Sequence, residues 1–82
     1  MRTVTLYTRP GCHLCDQARD AILRMRDGGA AFELDEIDIE TDDELHRAYL
    51  ERIPVVALDG ELVCELILDT GALQARLDTV RG

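Results

Sequence analysis

Lysine is missing from this 82-residue chain, and so are asparagine, serine and tryptophan. All nine cations are arginine, and they stand against 17 acids for a formal net charge of −8. Nucleic-acid binding needs clustered basic side chains to displace counterions from phosphates, and no such cluster occurs, so no nucleic-acid partner is expected. The same shortage disfavours an anionic membrane surface. Apolar runs are short as well, far below the roughly 20 residues that a membrane-spanning helix requires. The first residues lack the basic start and long apolar core of a signal peptide. Three cysteines, an odd number, make a poor secreted disulfide framework. These absences place the chain in the cytoplasm, where thiols are kept reduced. The narrow amino-acid usage fits a biased genome of bacterial type.

What remains is ordinary for a globular protein: 46% apolar and 32% charged residues. The length has room for one modest core, so a single domain over 1–82 is expected, acting as a monomer. No internal repeat, linker or low-complexity segment interrupts it.

Residues 2–8 alternate, with Val4 and Leu6 set between Thr3, Thr5 and Tyr7, which predicts a half-buried strand. Pro10-Gly11 breaks it. From Cys12 the period becomes helical: Leu14, Ala18, Ala21-Ile22 and Met25 define an inner face, and Asp27-Gly28-Gly29 stops the helix. Phe32, Leu34, Ile37 and Ile39 mark a second strand over 31–39, with a one-place slip that implies a bulge or a start near Glu36. Eight of the twelve residues from Glu33 to Glu44 are acidic, yet no glycine interrupts them as a calcium loop would need. A charged, solvated edge strand is the expectation.

Thr41-Asp42-Asp43-Glu44 has the pattern of a capping box with Thr41 as cap. The helix it opens should turn Leu45, Ala48 and Tyr49 inward and end before Pro54. Val55–Leu58 is a continuous apolar run, as in a strand buried on both faces. Asp59-Gly60 signals a tight hairpin to a partner at 61–64. Asp69-Thr70 then caps a last helix with Leu73, Leu77 and Val80 inward. The order β-α-β-α-β-β-α predicts an α/β fold: a four-stranded mixed sheet flanked by three helices.

Cys12-His13-Leu14-Cys15 carries the chemistry, at the junction of the first strand and first helix. Only a thiolate attacks a disulfide, and the unpaired N–H groups and positive dipole end of a helix start favour that anion. Arg9, and His13 when protonated, act in the same direction. Cys15 is one turn along the same face, placed to displace a product bound to Cys12. The alternative is a metal-binding or adaptor module, with zinc held by the pair and completed by His13, His46 or Cys64. A structural zinc site uses two close pairs of ligands, and neither His46 nor Cys64 has a near partner. Cys64 reads as a small apolar strand residue, and His46 as a surface residue.

Strand, Arg9-Pro10-Gly11, Cys12-x-x-Cys15, helix, and then Ile53-Pro54 before a hairpin and final helix resemble the thioredoxin fold. The chain is most similar to glutaredoxins and small bacterial glutaredoxin-like proteins, over essentially its whole length. The resemblance implies a thiol–disulfide oxidoreductase or electron carrier with Cys12 as nucleophile and Cys15 as resolving thiol. It implies a cis-proline at Pro54, with Ile53 offering its backbone to substrate, and Arg9 as a cation for a glutathione carboxylate. It also implies an iron–sulfur cluster between two copies as a minor alternative. No resident cofactor is implied. Glutathione is the family's co-substrate, but Cys64-Glu65 replaces the Gly-Gly of glutaredoxins, and His13 replaces the usual proline. The expected partners are disulfide-containing proteins or low-molecular-weight thiols, with glutathione or a flavoprotein reductase supplying electrons.

Overall fold

Threonine, valine and tyrosine prefer pleated backbone, and residues 2–8 form strand β1 (Arg2–Thr8) with Val4 and Leu6 buried. The computed structural model describes residues 2–78. Val80, expected on the inner face of the last helix, lies outside the described residues. The remaining elements follow in the expected order: α1 (His13–Asp27), β2 (Phe32–Asp38), a 3-10 turn (Ile39–Thr41), α2 (Asp43–Tyr49), β3 (Val55–Leu58), β4 (Glu61–Glu65) and α3 (Thr70–Asp78). The sheet order is β2-β1-β3-β4, with β1 and β2 parallel and the other two pairs antiparallel.

Both faces of the sheet are covered, and β3 shows how. Val56 and Leu58 join Val4, Leu6, Phe32, Ala18 and Ile22 of α1, and Leu73 of α3 in one cluster. Val55 points the other way, into a cluster with Cys15, Ile39 and Ile53, against which Leu45 and Tyr49 of α2 pack. A strand buried on both faces has no polar side to alternate with, which explains its unbroken apolar run. The acid-rich β2 is an edge strand, with Glu33, Asp35 and Glu36 exposed.

Four local expectations are corrected. The slip in β2 is neither a bulge nor a late start, because the strand stays in register with β1 from Arg2↔Phe32 to Thr8↔Asp38. Phe32 serves the first cluster, and Ile39, already in the 3-10 turn, serves the second. The irregular register belongs to β4 instead, where Cys64 pairs with Val56 but Leu62 pairs with Ala57. Asp42, not Thr41, caps α2: its carboxylate accepts from Glu44 N at 2.8 Å and Leu45 N at 3.4 Å. Thr41 donates its hydroxyl to Asp38 O, and a carboxylate suits the positive end of a helix better than a hydroxyl does. Leu14 and Ala48 are exposed. The inner stripe of α1 is Cys15, Ala18 and Ile22, one residue along from the Leu14 expectation, and that of α2 centres on Leu45 and Tyr49.

The Asp59-Gly60 turn has positive φ at both residues, 50° and 87°, as a tight hairpin matched to strand twist requires. Asp59 also ties the hairpin to the start of β1, accepting from Thr3 N at 2.9 Å and from Arg2 Nε at 2.9 Å. Arg2 reaches on to the carbonyls of Arg76 and Leu77 and so holds the C-terminal turn of α3 against the sheet.

Candidate active site

Arg9-Pro10-Gly11-Cys12 forms the turn that delivers the chain from β1 into α1. Cys12 N donates to Arg9 O at 3.3 Å, and Gly11 takes φ +80°. Proline second and a positive-φ glycine third are the residues such a reversal needs. The turn makes Cys12 the N-cap of α1, so it flanks the first helical turn without belonging to it. Its Sγ accepts a hydrogen bond from Cys15 N at 3.2 Å, a role usually filled by an oxygen side chain.

The Cys12 and Cys15 sulfurs are at disulfide distance, and their Cα atoms are 5.2 Å apart. The two thiols are not equivalent. Cys15 is 1% exposed and belongs to the cluster of Ile39, Ile53 and Val55, whereas Cys12 is half-buried at its edge. The accessible sulfur is therefore also the one that a helix-start N–H reaches.

Of Ile53 and Pro54, the structure packs Ile53 with the buried cysteine of the pair. The Ile53-Pro54 bond is cis, and both residues are buried. Ile53 N donates to Tyr49 O at 3.0 Å, while no hydrogen bond among the described residues reaches its carbonyl. The Ile53 carbonyl is therefore uncommitted within the described residues, while its N–H is already taken. Tyr7 and Tyr49 form a tilted ring pair, 4.8 Å between centroids, packed against the same cluster.

Arg9 and His13 are exposed, and neither side chain makes a described hydrogen bond or ion pair. Arg9 lines a depression of about 220 Å³ with Thr8, Pro10, Gly11, Asp16, Arg19, Glu36 and Asp38. Three carboxylates share that depression with two guanidinium groups, so it is not a cationic pocket. His46 and Cys64 stay away from the pair: among the described residues no group of three or more His, Cys, Asp or Glu side chains is placed to hold a metal ion. No helix among them is long and apolar enough to cross a membrane.

Cys64 is half-buried against the larger cluster. Burial pushes its thiol pKa up. A hydrogen bond from the Asp69 backbone pulls it part of the way back, and the Asp69 carboxylate adds to the rise. Thiolate is the reactive form, so Cys64 is expected to resist alkylation at pH 7 in the reduced, folded chain while Cys12 is modified. Its labelling should begin only at distinctly alkaline pH, and unfolding in urea should remove the difference. Mass mapping of iodoacetamide adducts across pH checks this; equal labelling of Cys64 and Cys12 at pH 7 contradicts it.

Sequence reasoning missed the segment after β4. Leu66 has φ +69°, and its N–H is shared between Arg52 O at 2.9 Å and Pro54 O at 3.0 Å. Glu65 pairs with Arg52 at 3.1 Å, across the residues that lead into Ile53-Pro54. A positive φ normally announces itself as glycine or asparagine, so a leucine there carries no sequence signal.

A family model described as Glutaredoxin-like domain (DUF836) matches residues 3–78. Protein Ne2328 from Nitrosomonas europaea, solved by NMR, is 34% identical, with 94% of this chain and 92% of that chain covered and a TM-score of 0.79. The X-ray structure of protein XcR50 from X. campestris is also 34% identical, with 95% and 99% covered and a TM-score of 0.68. A mutant thioredoxin from Halobacterium salinarum NRC-1 is 21% identical, with 98% and 78% covered and a TM-score of 0.67, a likeness of thioredoxin fold alone. None of the curated proteins matches.

Proposed function

This chain belongs to the glutaredoxin-like domain family, and from that premise we propose that it is a thiol–disulfide oxidoreductase, an electron carrier that reduces disulfides in the cytoplasm. The observation that carries the reading is the asymmetry of the pair: Cys12 is accessible and N-caps α1, while Cys15 lies 1% exposed behind it.

The cycle starts with the reduced chain. Cys12 thiolate attacks one sulfur of a substrate disulfide R–S–S–R′, forming a Cys12–S–S–R bond. The R′ thiolate leaves and takes a proton from water. Cys15, losing its own proton, attacks Cys12 Sγ and releases R as a second thiolate. Two electrons have moved from the chain to the substrate, and the Cys12–Cys15 disulfide remains. The Cys15 N–H that bonds Cys12 Sγ at 3.2 Å favours the attacking thiolate. A hydrogen bond to a charged acceptor is worth about 1.5–3 kcal/mol, more than a neutral one.

An external thiol or dithiol must return the chain to its reduced form. A flavoprotein reductase suits this site better than glutathione, because Cys64-Glu65 brings side chains, one of them anionic, where glutaredoxins leave bare backbone. Arg9, His13, Ile53 and Pro54 are the contacts offered to the substrate.

A titration in thiol–disulfide buffers, read by labelling Cys12 and Cys15, tests the reaction. One reversible two-electron transition is expected, with no stoichiometric zinc or iron by elemental analysis. A tightly bound metal whose removal alone exposes the two thiols would overturn the reading in favour of a metal-binding module. Supplying glutathione in one arm and a reductase with its nicotinamide donor in the other identifies the electron source.

A further inference from the structure

The turn from Glu65 to Ile67 combines three features that a purely structural connection does not need. Ile67 N donates to Glu65 O at 2.8 Å around Leu66, whose φ is +69°. This is a three-residue reversal of the strained kind, rare for any residue with a side chain. The turn is also pinned rather than loose. The Leu66 N–H shared between Arg52 O and Pro54 O straddles Ile53, and Ile53 packs with Cys15 beside Cys12. Finally, the turn presents two large apolar side chains to solvent. Leu66 is 48% and Ile67 76% exposed, the latter the most exposed large apolar residue described. A glycine would hold this backbone without steric cost, so the strain is spent on displaying side chains beside the Ile53-Pro54 segment, whose Ile53 packs with Cys15.

We infer that the Leu66–Ile67 turn selects polypeptide disulfides carrying an apolar residue beside the attacked cysteine, with Ile67 the specificity-determining contact. This rests on the oxidoreductase reading above. Charge supports a neutral or basic polypeptide over a small anionic thiol. The Arg52 guanidinium beside the turn is already engaged by Glu65, Asp69 follows the turn, and the chain carries a net charge of −8. The unpartnered Ile53 carbonyl can accept a backbone N–H from an extended segment, which would run its flanking side chain along the turn. Leu14, between the cysteines in sequence, is a further apolar side chain exposed on α1, at 51%.

The test uses the full chain and two disulfide peptides that differ only in the residue next to the attacked cysteine, leucine in one and glutamate in the other. Wild type should favour the leucine peptide by about tenfold in kcat/KM, mostly through KM, as burying one apolar side chain in a contact allows. Ile67→Ala and Ile67→Glu should bring that ratio close to one, with the reduction potential of Cys12–Cys15 unchanged. A ratio unaltered in Ile67→Glu overturns the inference. So does a concentration-dependent dimer of the wild type that Ile67→Glu dissolves, since the turn would then belong to a second copy. If wild type reduces neither peptide nor a small aromatic disulfide, the oxidoreductase reading itself falls, and the two failures are told apart.

Discussion

Cys12→Ser should lower disulfide reduction by about a thousandfold or more, because no other sulfur can take over the first attack. Cys15 is nearly inaccessible and belongs to the cluster beneath the site. Cys64 is held as a thiol by burial and lies among the residues of the opposite cluster. Serine keeps the size and capping ability of the side chain, so α1 should start where it does now. The loss is then one of chemistry and not of fold, which circular dichroism and a urea midpoint near that of the reduced wild type would show. Residual turnover within a few fold of wild type would mean that another thiol does the work.

Ile39→Ala should be the most costly single truncation near the site. Ile39 is fully buried in the 3-10 turn after β2, packed with Cys15, Ile53 and Val55. Truncating a buried isoleucine to alanine costs about 2–5 kcal/mol, the spread reflecting how far the cavity collapses. Small domains are stable by only about 5–15 kcal/mol, so the urea midpoint should fall by a large fraction. The same change at Ile67, 76% exposed, should move stability by less than about 0.5 kcal/mol. Equal effects at the two positions would contradict the burial on which both arguments rest.

The architecture was legible wherever local chemistry and burial agree. The change from alternating to helical period at Cys12, the Asp59-Gly60 turn and the unbroken run at Val55–Leu58 each have one physical solution, and the fold adopts it. Errors arose where two solutions were close. Thr41 and Asp42 are both competent caps, and the choice depends on Asp38, whose carbonyl takes the Thr41 hydroxyl. Leu14 and Cys15 compete for one inward position. Reading Cys15 as a reactive group hid the fact that it also packs as a small apolar residue. In β2, apolar residues that slip by one place describe a segment that feeds one cluster at its start and the other just past its end, not a bulge.

The site was legible for a different reason. Cys12, Cys15 and Ile53 are set by motif and spacing, and the fold gathers them in one cluster. The Leu66–Ile67 turn was not legible, since its positive φ falls on a residue that rarely accepts one and its exposure is a tertiary property. Arg9 is exposed and lines a depression with Asp16, Glu36 and Asp38, a setting that its place in the chain does not disclose.

The most direct measurement is intact mass of Cys15→Ser after exposure of the reduced chain to a disulfide peptide. With no buried thiol to resolve the intermediate, one peptide thiol should remain attached, mapped to Cys12 and released by added dithiol. Attachment at Cys64 instead, or no adduct under conditions where wild type reduces the peptide, would contradict the assignment of Cys12 as the attacking sulfur.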